Sequence, residues 1–210
     1  MVYCHNQLNP PVFNMISTRT TNARSTRSDS QVFKIRNVEC SIQTCPFTGC
    51  HFKSSLINFE GTNNNFLANG NTISNCYDGS GSSSANIMYA NSKSATIQEN
   101  IITFESVDKA CRTFRIFNRD QTTISGNQVT NANINSDSNE KGIGVYITDS
   151  GSGNLVHITS NTFTTCGKSG SLYVAFLKVP KFEFNFNKFT FADSLTSCGA
   201  VTSESSSEIV

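Results

Sequence analysis

The chain contains no tryptophan and only four prolines, and charged residues make up just 15% of its 210 positions. No apolar run approaches the ~20 residues that span a bilayer, so no membrane-crossing helix is expected. Sixteen basic side chains against fifteen acidic ones leave a net charge of +1. That balance provides no field of one sign for nucleic acid. Residues Met1 to Asn14 lack a basic start followed by an apolar stretch, so no signal peptide is recognisable. Asn-x-Ser/Thr acceptors are missing too, although Asn, Ser and Thr together exceed a third of the chain. Helical heptads are also absent.

What is present is a short pattern that recurs. Around Asn71, Asn100, Asn127, Asn161 and Asn187, and more weakly around Cys50, an apolar residue lies three before the centre and another lies two after it. The first column reads Phe47, Ala68, Ile97, Ile124, Ile158 and Phe184; the second reads Phe52, Ile73, Ile102, Val129, Phe163 and Phe189. All twelve are apolar in a chain that is 37% apolar, a coincidence of about one in 10⁵. Ser or Thr follows at Ser74, Thr103, Thr130, Thr164 and Thr190.

The two columns are five residues apart, an odd number. In one flat strand they would face opposite ways, and a helix would separate them as well. Both point inward only if the chain bends between them. The bend falls at the Asn, the non-glycine residue that best tolerates a left-handed backbone. Gly49, Gly70 and Gly126 precede three of the centres. The Asn centres are 29, 27, 34 and 26 residues apart, with a second β-rich segment in each interval: Asn86–Ala90, Phe114–Phe117, Val145–Ile147, Leu172–Leu177 and, after the last centre, Ala200–Val201. Repeats of this length signal a solenoid, whose units bury their apolar side only by stacking.

With these residues in view, the sequence resembles right-handed parallel β-helix proteins of the pectate-lyase-like type. Phe184-x-x-Asn187 and its Ile-x-x-Asn relatives resemble the F-x-x-N repeat of polymorphic-membrane-protein-like surface proteins. That family's G-G-A-I motif is approximated by Cys198-Gly199-Ala200-Val201, Gly142-Ile143-Gly144-Val145 and Gly170-Ser171-Leu172. The resemblance covers about residues 40–203. It implies a cell-surface or secreted rod whose partner is a polysaccharide or a host or cell-surface protein. The missing signal peptide leaves a cytoplasmic setting open.

The expected fold is therefore all-β: a right-handed parallel β-helix of about six or seven coils, roughly 30 Å long at ~4.8 Å per coil. Its expected organisation is a polar, loosely attached leader over 1–30, the β-helix over 31–203, and a polar tail over 204–210. An uncapped solenoid edge invites pairing, so end-to-end stacking or a longer parent chain follows as an expectation.

Eight cysteines allow four disulfides or none. Cys76 and Cys166 both lie five residues after a centre, and Cys111 and Cys198 eleven after, which favours free, buried core or turn residues over a disulfide framework. Cys45–Cys50 is the best candidate for a bridge or metal pair; its plainer reading is two turns at a coil edge.

β-Helix lyases hold calcium with acidic residues and use an Arg or Lys base, and the hydrolases use paired carboxylates. Here Asp78, Asp108, Asp120, Asp137, Asp149 and Asp193 are scattered, with no Asp-Asp pair, no Gly-His-Gly and no Arg-x-Lys. Arg112, Arg115 and Arg119 with Asp120 form the densest charged set, read as a solvated strand face with an anion patch as the sharper alternative. His157 reads as an exposed strand residue. Phe182, Phe184 and Phe186 are expected on one face by strand alternation, as core aromatics rather than a sugar platform. No catalytic, cofactor-binding or metal-ligating residue is assigned. The assigned positions are structural: Asn71, Asn100, Asn127, Asn161 and Asn187 as a ladder of amides at one bend. The expected role is a structural or adhesive rod. A carbohydrate-active enzyme or polysaccharide-binding module, and an intracellular scaffold, are the alternatives.

Overall fold

A computed structural model describes residues 11–25, 31–78, 85–106, 111–133, 142–149, 155–167, 171–191, 197–203 and 208–209. Every paired strand is parallel, and no helix occurs among the described residues. The chain winds as a parallel β-solenoid of about five turns. That is slightly fewer than the six or seven coils expected; one wall stacks seven short strands. No helix among the described residues is long and apolar enough to cross a membrane.

Each winding follows one plan. A strand leads to a bend at the residue before the repeat Asn, a two-to-five-residue strand follows, and a second bend starts the return. The lead strands, among them Ser55–Asn69, Asn86–Gln98, Gln121–Ser125, Leu155–Thr159 and Lys181–Asn185, stack in a thirteen-stranded sheet. The short strands Thr20–Thr21, Pro46–Thr48, Thr72–Ser74, Ile101–Thr103, Gln128–Thr130, Thr162–Cys166 and Lys188–Phe191 stack in the seven-stranded wall. His51–Phe52 and Tyr77–Asp78 form a separate two-stranded sheet.

Both apolar columns point inward. Met15, Ile42, Ala68, Ile97, Ile124, Ile158 and Phe184 are register partners in turn. Across the bend, Phe47, Ile73, Ile102, Val129, Phe163 and Phe189 stack likewise. Interior members of both columns are 0–1% exposed from Ile42 to Phe163. Each buried Ile or Phe gives about 1.5–3 kcal/mol relative to exposure, so these columns dominate the driving force.

Several expectations change in detail. The first coil is centred on Cys45, not Cys50: Phe47 pairs with Ile73, Ile42 pairs with Ala68, and the Cys45 N–H donates to Asn71 Oδ1 at 2.9 Å. The left-handed residue is the one before each ladder Asn rather than the Asn itself: Thr44, Gly70, Glu99, Gly126, Ser160 and Phe186 have φ of 52–65°. The Asn is thus free to turn its side chain inward. Phe186 consequently leaves the face of Phe182 and Phe184 and stands 90% exposed at the bend. Of the expected leader, residues 11–25 form a further winding: Val12–Ile16 pairs with Glu39–Gln43, and Met15 takes the inward slot at 6% exposure. Residues 1–10 and 26–30 lie outside the described residues. Glu208–Ile209, within the expected tail, pairs with Lys181 and Phe182. Residues 79–84, 107–110, 134–141 and 150–154 also lie outside the described residues.

Two outcomes test this plan. Replacing Glu99 by Gly, which removes a Cβ from a left-handed position at φ 54°, raises unfolding free energy by about 0.5–1 kcal/mol. Gly144→Ala drives a Cβ into the ring of buried Phe163 and lowers it by about 1–3 kcal/mol. Urea denaturation of the two variants against the parent measures both.

Candidate functional site

The five assigned asparagines come together in one column. Asn71 N–H and Nδ2 donate to Asn100 Oδ1 at 3.0 and 2.8 Å. Asn100 repeats this onto Asn127 at 3.0 and 2.9 Å, Asn127 onto Asn161 at 3.0 and 2.9 Å, and Asn161 onto Asn187 at 2.9 Å for both bonds. The second Nδ2 hydrogen goes to a lead-strand carbonyl one turn earlier: Ile42, Ala68, Ile97, Ile124 and Ile158 for the five in order. Every internal amide therefore uses two donors and two acceptor sites. Asp lacks the donors, Ser the reach, and Gln has one methylene too many. Asn71, Asn100, Asn127 and Asn161 are 0% exposed, so the column is architecture and offers nothing to a ligand.

Among the described residues the cysteines form no disulfide. Cys40, Cys45, Cys50, Cys76, Cys111 and Cys166 are buried thiols, so the bridge considered between Cys45 and Cys50 does not form. Cys45 occupies the ladder corner, and Cys50 the opposite corner of the same short strand. Burial pushes the Cys40 and Cys166 thiols up to about 12. Cys198 and Cys4 lie where side chains are not described.

Arg112 is fully buried, donates to Asn86 Oδ1 at 3.5 Å and lies 5.0 Å from the Tyr146 ring centroid. Arg115 sits over Phe117 and Tyr146 at 5.2 and 5.4 Å. Arg119 and Asp120 stand apart from them, at an open cleft with Gln121 and Leu155. The expected charged set is therefore split. Two arginines serve an aromatic file that sequence reasoning missed: Tyr89–Phe117 at 5.5 Å, Phe117–Tyr146 at 6.3 Å and Tyr146–Phe176 at 5.5 Å. Tyr146 and Phe176 stack nearly flat at 10° and are 5% and 4% exposed. Their ring faces are spent on one another, which removes the surface a sugar ring needs.

His157 also has a partner. Its Nδ1 lies 2.5 Å from Glu183 Oε2, and Asn185 Nδ2 donates to Glu183 Oε1 at 2.7 Å. His157 and Glu183 are register partners on consecutive turns. The signal existed: each lies four residues before a ladder Asn. Three other described carboxylates are engaged separately. Glu60 pairs with Lys34 at 3.2 Å and Arg36 at 2.7 Å, Asp120 with Lys93 at 3.9 Å, and Glu39 accepts the Asn65 N–H at 2.9 Å.

The short wall presents a different surface. Thr21, Thr48, Ser74, Thr103 and Thr130 are consecutive register partners; Thr164 follows, and Thr190 stands at the same repeat position of the last turn. The parallel outward column is Pro46, Thr72, Ile101, Gln128, Thr162 and Lys188, in which Lys188 alone is charged.

No protein-family model, curated protein or solved structure matches this chain. Among the described residues, no group of three or more His, Cys, Asp or Glu side chains is placed to hold a metal ion.

A pH outcome follows from the buried thiols. Their folded values near 12 stand above the ordinary 9.0, so the folded state keeps protons that the unfolded chain gives up. The stability from Cys40 and Cys166 is fully present below about pH 9 and is lost as pH rises toward 12. Urea midpoints from pH 7 to 10.5 fall more steeply for the parent than for a Cys40→Ala/Cys166→Ala variant.

Proposed function

We propose that the protein is a non-enzymatic structural or adhesive rod, of the kind its F-x-x-N repeats suggest through their resemblance to polymorphic-membrane-protein-like surface proteins. The observation that carries this reading is the short wall. It is a regular Thr/Ser column at one hydroxyl per turn, beside a column whose only charge is Lys188. Such a wall offers repeated weak contacts along an axis, which suits adhesion or side-by-side packing, and it offers no concentrated reactive group. The carboxylates support the same reading from the other faces, because Glu39, Glu60, Asp120 and Glu183 are occupied by different partners on different turns instead of converging on one groove. A polysaccharide or a surface protein as partner, and a cell-surface or secreted setting, belong to this proposal.

Incubation with a panel of uronic-acid and neutral polysaccharides tests it. The expected result is no new reducing ends and no unsaturated product. Lyase or hydrolase turnover above that of heat-denatured protein overturns the reading and favours the carbohydrate-active alternative.

A further inference from the structure

The two-stranded sheet formed by His51–Phe52 and Tyr77–Asp78 holds a feature that the rod does not require. Cys50 and Cys76 immediately precede the paired residues His51 and Tyr77. The Tyr77 N–H donates to the Cys50 carbonyl at 3.0 Å, and the Cys50 N–H donates to Cys76 Sγ at 3.4 Å. The two cysteines are therefore stacked on consecutive turns. Turn spacing in a parallel sheet, about 4.8 Å, falls inside the Cα separation of roughly 4.4–6.8 Å that a disulfide accepts. Carbonyls also lie close to the two sulfurs, Thr48 O at 3.7 Å and Thr20 O at 4.0 Å for Cys50 and Ser74 O at 3.5 Å for Cys76, and the Cys111 thiol acts electrostatically on Cys76.

We propose that Cys50 and Cys76 are a dithiol site that a two-electron oxidant of the peroxide class converts to a disulfide joining consecutive turns. The proposal stands apart from the adhesive reading and does not need it.

The two sulfurs are not equivalent. The Cys76 thiol hydrogen-bonds to the Cys50 sulfur, and this bond above all brings Cys50 down to about 7 against the opposing effect of burial, with backbone hydrogen bonds at Ala23 and Thr48 assisting. The same bond, then burial, holds Cys76 well above the ordinary thiol range. Cys50 is thus the nucleophile and Cys76 the protonated resolving thiol. The Cys50 thiolate attacks one peroxide oxygen and the O–O bond breaks. Cys50 becomes a sulfenic acid, and the departing hydroxide takes up the proton that Cys50 gave to solvent on ionising and leaves as water. The Cys76 sulfur then attacks the Cys50 sulfur, and the S–O bond breaks. The leaving hydroxide takes the Cys76 proton and departs as water. Two thiols lose two electrons, the peroxide gains them, and two waters form.

Both sulfurs are shielded, at 0% and 1% residue exposure, so the oxidant enters by local opening. The wall over them is a pair of two-residue strands, the smallest sheet among the described residues, and short elements with few contacts open at low free-energy cost.

The test uses the full chain, reduced and then exposed to hydrogen peroxide in steps. Titratable thiols in denaturant are counted, and alkylated digests are mapped by mass spectrometry. The expected result is a fall from eight thiols to six, one linked peptide pair carrying Cys50 and Cys76, and reversal by dithiothreitol. In Cys76→Ser, the same treatment leaves Cys50 as a sulfenic acid trappable by dimedone. Retention of all eight thiols, a link between any other pair, or over-oxidation of Cys50 in the parent without a link overturns the proposal. The parent chain alone decides it should the variant fail to fold.

Discussion

The structure depends on one constraint: a residue inside a solenoid corner must satisfy its polar atoms along the axis, because no water reaches it. The asparagine amide meets that requirement by pairing with its own copy one turn away. The side chain donates forward to the next amide and backward to a lead-strand carbonyl, and accepts two hydrogens from the previous turn. An unsatisfied buried donor or acceptor costs about 1–3 kcal/mol, so a corner amide is either fully paired or seriously destabilising. A column of identical residues answers this at every turn with one local geometry. The column also fixes register, since a slip by one residue would bring a left-handed Thr44, Glu99 or Ser160 to the buried site.

The apolar columns follow from that register. Once the amides align, Ile97, Ile124 and Ile158 fall in one file and Ile102, Val129 and Phe163 in the other, five residues away across the bend. Left-handed residues on both sides of the short strand, Gly70 and Gly126 on one side, Asn75 and Asn131 on the other, turn the chain sharply enough for both files to face inward. Outward positions inherit the same spacing. Any side chain there meets its counterpart one turn on, which is how Tyr146 comes to lie on Phe176 and His157 beside Glu183. The exterior is thus built of files: hydroxyls on the short wall, aromatics under arginine on part of the long one, and isolated ion pairs elsewhere.

Much of the fold was legible because the inward positions obey a rule that composition alone would not produce. The errors arose where the rule is ambiguous. Cys45 and Cys50 both have apolar neighbours at the required offsets, Ile42 and Phe47 for the first and Phe47 and Phe52 for the second, so pattern could not separate them. Gly49 before Cys50 then favoured the wrong one; that glycine serves the opposite bend at φ 63°. The tolerance of Asn for left-handed backbone assigned the strain to the ladder residue, whereas burial of the amide requires the preceding residue to take it. Phe186 shows the consequence, exposed where alternation placed it inside. The candidate sites were less legible. Partnerships such as His157 with Glu183, or Cys50 with Cys76, depend on counting offsets from the corner of each turn, and unequal intervals hide this in the linear sequence. The arginine set looked continuous in sequence because Arg112, Arg115 and Arg119 are close along the chain, yet the strand and its end direct them to different surroundings.

The central claim is that the interior amides of Asn100, Asn127 and Asn161 are bonded along the axis and open only when the solenoid does. Hydrogen exchange of their side-chain Nδ2 protons, followed by NMR, tests it most directly. The account requires these protons to exchange as slowly as the backbone amides of the stacked strands Gln121–Ser125 and Leu155–Thr159, with the same denaturant dependence. Exchange at the rate of solvent-exposed asparagines, while those backbone amides stay protected, would contradict it.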